Sequence, residues 1–458
     1  MCIRDRSSVN VIVWNNHNGI HGRGHPGTTA NIGDWQIGDV ILPQNQSLPE
    51  PEPLTELNMS EMFAHAWSFN SDISKWNTSC VTDMSSMFYS AFSFNSEINT
   101  TSVQVDGIKY VAWDVKNVTD MSRMFQNNAQ ALNVSGWKVC NLSEFNQDIS
   151  NWNTSKVTSM TYMFGGAAKF DSEINTKLVT VDESDYVAWD VANVEDMRRM
   201  FGHAQSFNHP LDKWNTSKVT DAFGIFWDAY TFNQDIDHKL VTVNETEYYA
   251  WDVSKVSDFW GLFYNAEKFN GKISNWKPDG VNYYMAYVFA GAASFNQDIS
   301  NWFSNTSGRT LTFTHMFVRA TAFNQDLSTW NMSNAVNMVC MFSETSSFNG
   351  DISNWDVTNV TNMNHMFAYA SAFNKDISSW DVSNVTSGMD YMFYEATAFL
   401  FGETSTEDII TGHHGFGKWL QQDLDDDGEY LTLDENGVLY LDQESDELFV
   451  KLPHSTSI

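Results

Sequence analysis

Asp423, Asp425 and Asp427 stand at alternate positions ahead of Gly428, and Glu429 and Asp434 complete the run DLDDDGEYLTLD. This is the spacing of a calcium loop. Carboxylate oxygens at the first, third and fifth positions wrap a hard cation, and glycine at the sixth lets the chain bend sharply around it. Two departures weaken the site: the twelfth position holds Asp434 where a bidentate glutamate is usual, and the eighth, usually apolar, holds Tyr430. A solvated acidic loop has the same composition, and both readings stay open. Calcium is the one cofactor the sequence raises. His413 and His414 lie beside this loop with no His or Cys at metal spacing, which makes them a surface pair.

A second set of carboxylates recurs along the chain at Asp72, Glu97, Asp148, Glu173, Asp235, Asp298, Asp326, Asp351 and Asp376, interrupted by Pro210 and Lys272. Each precedes Ile or Leu in the pattern FN-x-[DE]-I. In register they would line up about 5 Å apart along one face. Such a row is either a negative stripe for cations or a basic partner, or a solvated row whose charge discourages end-to-end association. Cys2, Cys80, Cys140 and Cys340 fall at unrelated places in the pattern, with no C-x-x-C spacing, and read as single buried thiols. No acid, base and nucleophile converge in the sequence, so an enzyme is not expected.

The elements that position these residues are copies of one unit. Phe348–Phe373 reads FNGDISNWDVTNVTNMNHMFAYASAF, and Phe373–Phe399 repeats it as FNKDISSWDVSNVTSGMDYMFYEATAF. The Met-Phe-type step recurs at Phe63, Phe88, Phe125, Phe164, Phe201, Phe226, Phe263, Phe289, Phe317, Phe342, Phe367 and Phe393, mostly 25 to 28 residues apart. A fixed period of this size is the mark of a solenoid. Three of the longer intervals, of 37 residues, equal one repeat plus 12. The inserts TTSVQVDGIKYVAW, TKLVTVDESDYVAW and HKLVTVNETEYYAW end at Trp113, Trp189 and Trp251 and alternate apolar with polar residues around a polar tip, which predicts protruding β-hairpins. The interval between Phe125 and Phe164 holds a shortened extra copy, Leu132–Phe145.

Within a copy, FNxDISxW predicts a short strand. The apolar spacing of VTxMSxMFxxA predicts one or two helical turns capped by Thr. The expected fold class is therefore an α/β solenoid, a right-handed coil of short parallel strands and short helices, with inserted hairpins and terminal caps. The repeated Trp, for example Trp152, Trp214 and Trp355, is read as core stacking rather than a sugar-binding row, because few other large apolar groups exist to fill a coil. The Asn that follows each FN-type Phe is read as a buried amide, stacked on its equivalents and satisfying backbone groups at a tight corner.

Bulk composition narrows the partners. Lys plus Arg total 25 against 57 Asp plus Glu, for a net charge of -32. Such a surface repels phosphate backbones and anionic lipid, excluding nucleic acid and membrane surfaces as partners. No apolar run is long enough for a transmembrane segment, and no secretory signal pattern opens the chain. Residues 1–8 read as a truncated or non-native leader, 9–53 as an N-terminal cap and linker, 54–399 as the repeat array, and 400–458 as an acidic C-terminal cap.

The runs FNQDISNWNTSKVTSMTYMF (Phe145–Phe164), FNGDISNWDVTNVTNMNHMF and FNKDISSWDVSNVT resemble the BspA-like leucine-rich-repeat proteins, in particular the repeat of mycoplasma surface lipoproteins. The resemblance extends from near Leu54 to Phe399. It implies a curved leucine-rich-repeat-like solenoid, placed on the cell surface or secreted, and used for adhesion or for binding an extracellular protein or glycan. It implies no catalytic residues and no ligand set. A purely structural spacer, or a stalk stiffened by calcium, is the alternative role. If the terminal loop holds calcium, titration gives a saturable site whose affinity falls in Asp423→Ala; no binding at millimolar calcium leaves only the solvated loop.

Overall fold

A computed structural model describes residues 56–105, 107–127, 143–278, 283–304, 306, 308–385 and 388–401, together with three strands beyond them. The chain divides into two compact units, Met1–Gly280 and Val281–Ile458. The first unit holds β1 (Leu57–Asn58), β2 (Val81–Asp83), β3 (Thr101–Val105), β4 (Ile108–Ala112), β5 (Lys177–Val181), β6 (Ser184–Ala188), β7 (Lys239–Val243) and β8 (Thr246–Ala250). The second holds β9 (Tyr283–Tyr284), β10 (Leu311–Thr312), β11 (Ala335–Asn337), α1 (Thr397–Phe401), β12 (Leu431–Leu433), β13 (Val438–Leu441) and β14 (Phe449–Lys451). Among the described residues these are short strands in small sheets with almost no helix.

Successive copies in the first unit are joined side by side. Strand β1 pairs with β2 in parallel, and the parallel pairing continues through single bridges from Asp83 to Asp120, Ser159, Asp196, Asp221 and Asp258. The segment after each bridge was expected to be helical, and it is not. In the copy around Phe88, the N–H groups of Met84, Ser86, Phe88 and Ser90 donate to carbonyls of the next copy, at Asp120, Ser122, Met124 and Gln126 (2.8–3.0 Å). The intervening N–H groups of Met87, Tyr89 and Ala91 close tight turns onto Met84, Ser86 and Phe88. Ser86 and Ser90 adopt left-handed backbone (φ 55° and 56°), and the same pair of positions recurs at Arg199/His203 and His365/Tyr369. A residue with positive φ at the third place of a turn cannot continue a right-handed helix. The spacing that suggested a helix is a turn period: Met84, Met87, Phe88 and Ala91 all point inward and are buried.

The FNxDISxW segment is not a strand either. Asp72 Oδ1 accepts the Ser74 N–H (2.9 Å), and the Trp76 N–H donates to the Ile73 carbonyl (3.1 Å), so the segment curls into a corner. Local side-chain acceptors of this kind compete with ladder pairing. The strands lie instead at the V-T-D step that follows, as in β2. The Asn column makes the backbone hydrogen bonds expected of it, but it is not buried: it runs along an exposed edge, with Asn70 and Asn146 open to solvent. Asn70 Oδ1 accepts the Asn95 N–H and Asn95 Oδ1 the Asn146 N–H, each at 2.8 Å. Asp171 is tolerated because its carboxylate oxygen accepts the Asn208 N–H equally well (3.0 Å).

Two columns of rings fill the first unit. Trp113, Trp152, Trp189, Trp214 and Trp251 stack face to face at 6.2–6.4 Å. Each indole N–H donates to an Ile or Leu carbonyl of the preceding copy, as Trp152 does to Ile98 (2.9 Å). Paired phenylalanines such as Phe164 and Phe170 lie 3.9 Å apart within a copy, and Phe164 stacks on Phe201 of the next at 5.8 Å. Gly166 (φ +73°) has to be glycine, because a Cβ there would lie 2.2 Å from the Asn127 carbonyl oxygen of the adjacent copy.

The second unit repeats the scheme. Strands β9, β10 and β11 form a parallel sheet in the order β11-β10-β9, and the pairing extends from Asn337 to Asn362. Trp330, Trp355 and Trp380 stack at 6.2 and 6.1 Å. In the longer interval before Phe317, the extra residues bring Phe303 edge-on against Trp330 at 4.7 Å. Strands β12, β13 and β14 form an antiparallel sheet in that order. Cys340 is a free, half-buried thiol, whereas Cys80 is disulfide-bonded and so departs from the expected single thiol.

Trp355 is buried, stacked on both faces, and donates to the Leu327 carbonyl (3.0 Å). Trp355→Ala is expected to lower stability by about 3–5 kcal/mol through the cavity it leaves. Trp355→Phe, which keeps a ring but strands the carbonyl, is expected to lose about 1–3 kcal/mol. Urea denaturation of both variants checks the order.

Candidate functional site

The three hairpins are present where the inserts predict them. Strands β3 and β4, β5 and β6, and β7 and β8 pair antiparallel in one shared register, with Thr101, Lys177 and Lys239 opposite Ala112, Ala188 and Ala250. At the second and third tips Asp182, Glu183, Asn244 and Glu245 all have positive φ (47–62°), the geometry of a type I′ turn, whose twist matches that of the strands it joins. Asp106, at the first tip, lies outside the described residues. One face of each hairpin is pinned to the stack by a tyrosine. The Tyr110 hydroxyl donates to the Lys75 carbonyl and Tyr248 to Lys213, both at 2.5 Å, and Tyr186 donates to Asn151. The opposite face carries Leu178, Leu240 and Tyr249, which are 46%, 53% and 54% exposed. Asp182 ties neighbouring hairpins together, pairing with Lys109 and accepting from Ser102 (3.2 Å).

The carboxylate row that the sequence singles out does not gather into a site. Asp72, Asp148, Asp298, Asp326, Asp351 and Asp376 are exposed, and each accepts the N–H two residues on. Hydrogen bonds from Ser74 and Ser353 hold Asp72 and Asp351 below the usual carboxylate range. Among the described residues no His, Cys, Asp and Glu cluster could hold a metal ion. The loop residues Asp423, Asp425, Asp427, Glu429 and Asp434, with His413 and His414, lie outside the described residues.

A different surface, which sequence reasoning missed, carries exposed chemistry. It is the turn face of the first unit, where the Asp196, Asp221 and Asp258 bridge positions follow one another in three successive copies. The residue two places after each is Arg198, Phe223 and Trp260, and six places after each is Gly202, Trp227 and Tyr264. Earlier copies place Ser85, Ser122 and Thr161 at the first of these positions. The four rings are half-buried and stacked: Phe223 on Trp260 at 4.8 Å, Trp227 on Trp260 at 5.0 Å and Trp227 on Tyr264 at 4.1 Å. Gly261 (φ +58°) makes room for Trp227, since a Cβ there would lie 2.7 Å from its indole atoms. The Arg199 guanidinium carbon lies 4.2 Å from the Trp227 ring centroid and 5.1 Å from that of Phe223.

The charges beside these rings are unevenly compensated. Burial alone would raise the Asp196 carboxyl, but hydrogen bonds from Arg198 outweigh it and hold it low. Burial pushes Asp221 and Asp258 up, and neighbouring carboxylates add to the rise at Asp221. Buried Asp228 is held low against its burial by His203 (3.0 Å) and Asn265 (2.9 Å). The signal for this surface was present in the sequence as GIFW and FWGLFY, which put rings at places outside the core spacing.

The family model described as Mycoplasma protein of unknown function, DUF285, matches the chain four times, over residues 44–144, 111–238, 239–342 and 304–406. Neither a curated protein nor a solved structure matches it.

The clasped tyrosines give a titration that reads hairpin docking. Burial pushes Tyr186 and Tyr248 up to about 12. Because the folded values lie above the unfolded one, the neutral phenols support folding fully below about pH 10, and that support is lost as pH rises through about 12. Absorbance at alkaline pH is expected to show a late tyrosine phase that the Tyr186→Phe/Tyr248→Phe double variant lacks.

Proposed function

Because the chain belongs to the Mycoplasma repeat family of unknown function that these matches define, we propose that it is a noncatalytic binding protein, held at the cell surface or secreted, which recognises an extracellular protein or glycan. In this reading the stacked copies form a solenoid of the BspA-like, leucine-rich-repeat kind. The parallel bridges and ring columns support it. Calcium at Asp423, Asp425, Asp427, Glu429 and Asp434 would brace the C-terminal cap.

One observation carries the reading: the buried positions of the copies are nearly constant while the outward ones are not. Phe223, Trp227, Trp260 and Tyr264 stand where earlier copies carry residues as small as Ser85 and Gly165. Half-buried rings at such positions lie outside the ring columns of the core, and aromatic side chains clustered at a surface favour interaction there. The exposed hairpin residues Leu240 and Tyr249 add a second outward apolar face.

Screening the full chain against glycans and surface proteins, with and without calcium, tests the proposal. A specific ligand is expected, weakened by about tenfold or more in Trp227→Ala or in Leu240→Ser/Tyr249→Ser. A chain that binds nothing in the screen, and whose only response to calcium is greater rigidity, is a spacer.

A further inference from the structure

We propose that mild acid loosens the second unit at His315, whose ring, once protonated, can no longer stay in the stack it forms between neighbouring copies. The inference is independent of what the surface binds.

The place two residues before the Met-Phe-type Phe is a left-handed turn residue, and in the second unit it is Tyr287, His315, Cys340, His365 and Tyr391 in successive copies (φ 54–60°). These residues make the sideways bonds that join copies. The N–H groups of Tyr287, His315, Cys340 and His365 donate to Thr314, Val339, Asn364 and Asp390 of the following copy (2.8–3.1 Å). Their side chains form a column along the same line. Tyr287 stacks on His315 at 4.6 Å and His365 on Tyr391 at 5.1 Å, with Cys340 at the place between the two pairs.

The two imidazoles are not equivalent. His365 is exposed, whereas His315 is half-buried, with its Nδ1 closed off from solvent and without a hydrogen-bond partner among the described residues. A neutral ring can keep its proton on Nε2 and leave Nδ1 as a bare lone pair. In an imidazolium both nitrogens are donors, and the Nδ1–H then points at no acceptor.

The groups around the ring do not answer its charge. Glu344 of the next copy is taken by Arg319, whose Nε lies 2.9 Å from its Oε2, and Arg319 stands four residues after His315 in the same copy. Burial, and then Glu344, push the Cys340 thiol up, so it stays neutral. The Tyr287 face attracts a cation, but less strongly than a buried donor without an acceptor disfavours one, and His365 adds like charge once it is protonated. Burial, followed by His365, accordingly lowers His315 from the ordinary 6.5. A neutral imidazole of this kind supports the fold fully above that pH, and the support is lost as pH falls through 6.5 toward the folded value. Uptake of one solvent proton is the only chemical step.

The first unit is built the other way. His203 Nδ1 lies 3.0 Å from Asp228 Oδ2, and His209 Nε2 lies 3.5 Å from Asp171 Oδ1. A proton on either ring completes an ion pair. Mild acid therefore separates the two units by their response.

Hydrogen–deuterium exchange of the full chain, read by mass spectrometry at about pH 7.5 and about pH 5.5 and corrected for the intrinsic pH dependence of amide exchange, tests this. At the lower pH, one unit below the ordinary imidazole value, complete exclusion of the proton favours opening by about tenfold at most. Residues 313–320 are expected to open about threefold or more readily than at the higher pH, and residues 84–91 of the first unit to change by less than about twofold. His315→Tyr is expected to abolish the response and to keep the fold, because Tyr287 and Tyr391 occupy the same place in other copies. If His315→Tyr melts early at the higher pH, His315→Gln, which cannot take a proton in this range, replaces it with the same expectation. His365→Gln is expected to retain most of the response. An unchanged response without the His315 imidazole would overturn the assignment, as would loss of the response in His365→Gln, an equal response in residues 84–91, or no response in the unaltered chain.

Discussion

Every second N–H in the turn segment of a copy is given to the copy beside it. This arrangement decides most of the rest. If those groups bonded along the chain instead, the segment would be a helix, as its apolar spacing suggests. Donating Met84, Ser86, Phe88 and Ser90 sideways leaves the alternate N–H groups to close turns, and two residues per copy enter left-handed backbone to let them do so. A single copy satisfies half of this pattern at most. Stability is then shared between neighbours, as in other repeat architectures.

The side-chain columns follow from the same constraint. Bridged copies lie about 4.8 Å apart at the backbone. Flat rings stacked with modest offset and tilt fill that spacing well, and branched aliphatics fill it less completely. The indole adds a polar tip. Each Trp N–H reaches the Ile or Leu carbonyl that curls out of the preceding corner, so a buried donor and a buried acceptor answer each other. Phe in place of Trp would preserve the column and leave that carbonyl stranded, which explains why this position is Trp in so many copies while other core positions vary among Ile, Val, Leu and Met.

The parts of the fold that were legible in the sequence depend on spacing alone. The period, the three hairpin inserts, the buried Trp column and the asparagine hydrogen bonds all appear where the residues suggest. What was misread depends on where hydrogen bonds go. Met84, Met87 and Phe88 have spacings compatible with helix or with serial turns, and only the sideways bonds distinguish them. Ile73 and Trp76 favour a strand by type, yet Asp72 captures the Ser74 N–H and bends the chain. The candidate surface was less legible still. Phe223, Trp227 and Trp260 look like more core in a chain rich in core aromatics, and only their offset from the buried positions marks them as outward-facing.

This offset separates stability from recognition within one repeat. The inward residues of a copy answer to the neighbouring copies, and a change there is felt along the column. The outward residues two and six places after the bridge answer to whatever lies above the face. Phe at position 223 where the preceding copy has Arg198, and Trp at position 227 where it has Gly202, leave Phe226 and Phe232 stacked at 4.1 Å as their counterparts are elsewhere. Where an outward ring did require an accommodation, it was local: Gly261 in the adjacent copy yields the space that Trp227 occupies. A scaffold built this way can exchange its surface one residue at a time without re-forming its core, and Arg199 of the preceding copy covers the faces that Trp227 and Phe223 turn toward it.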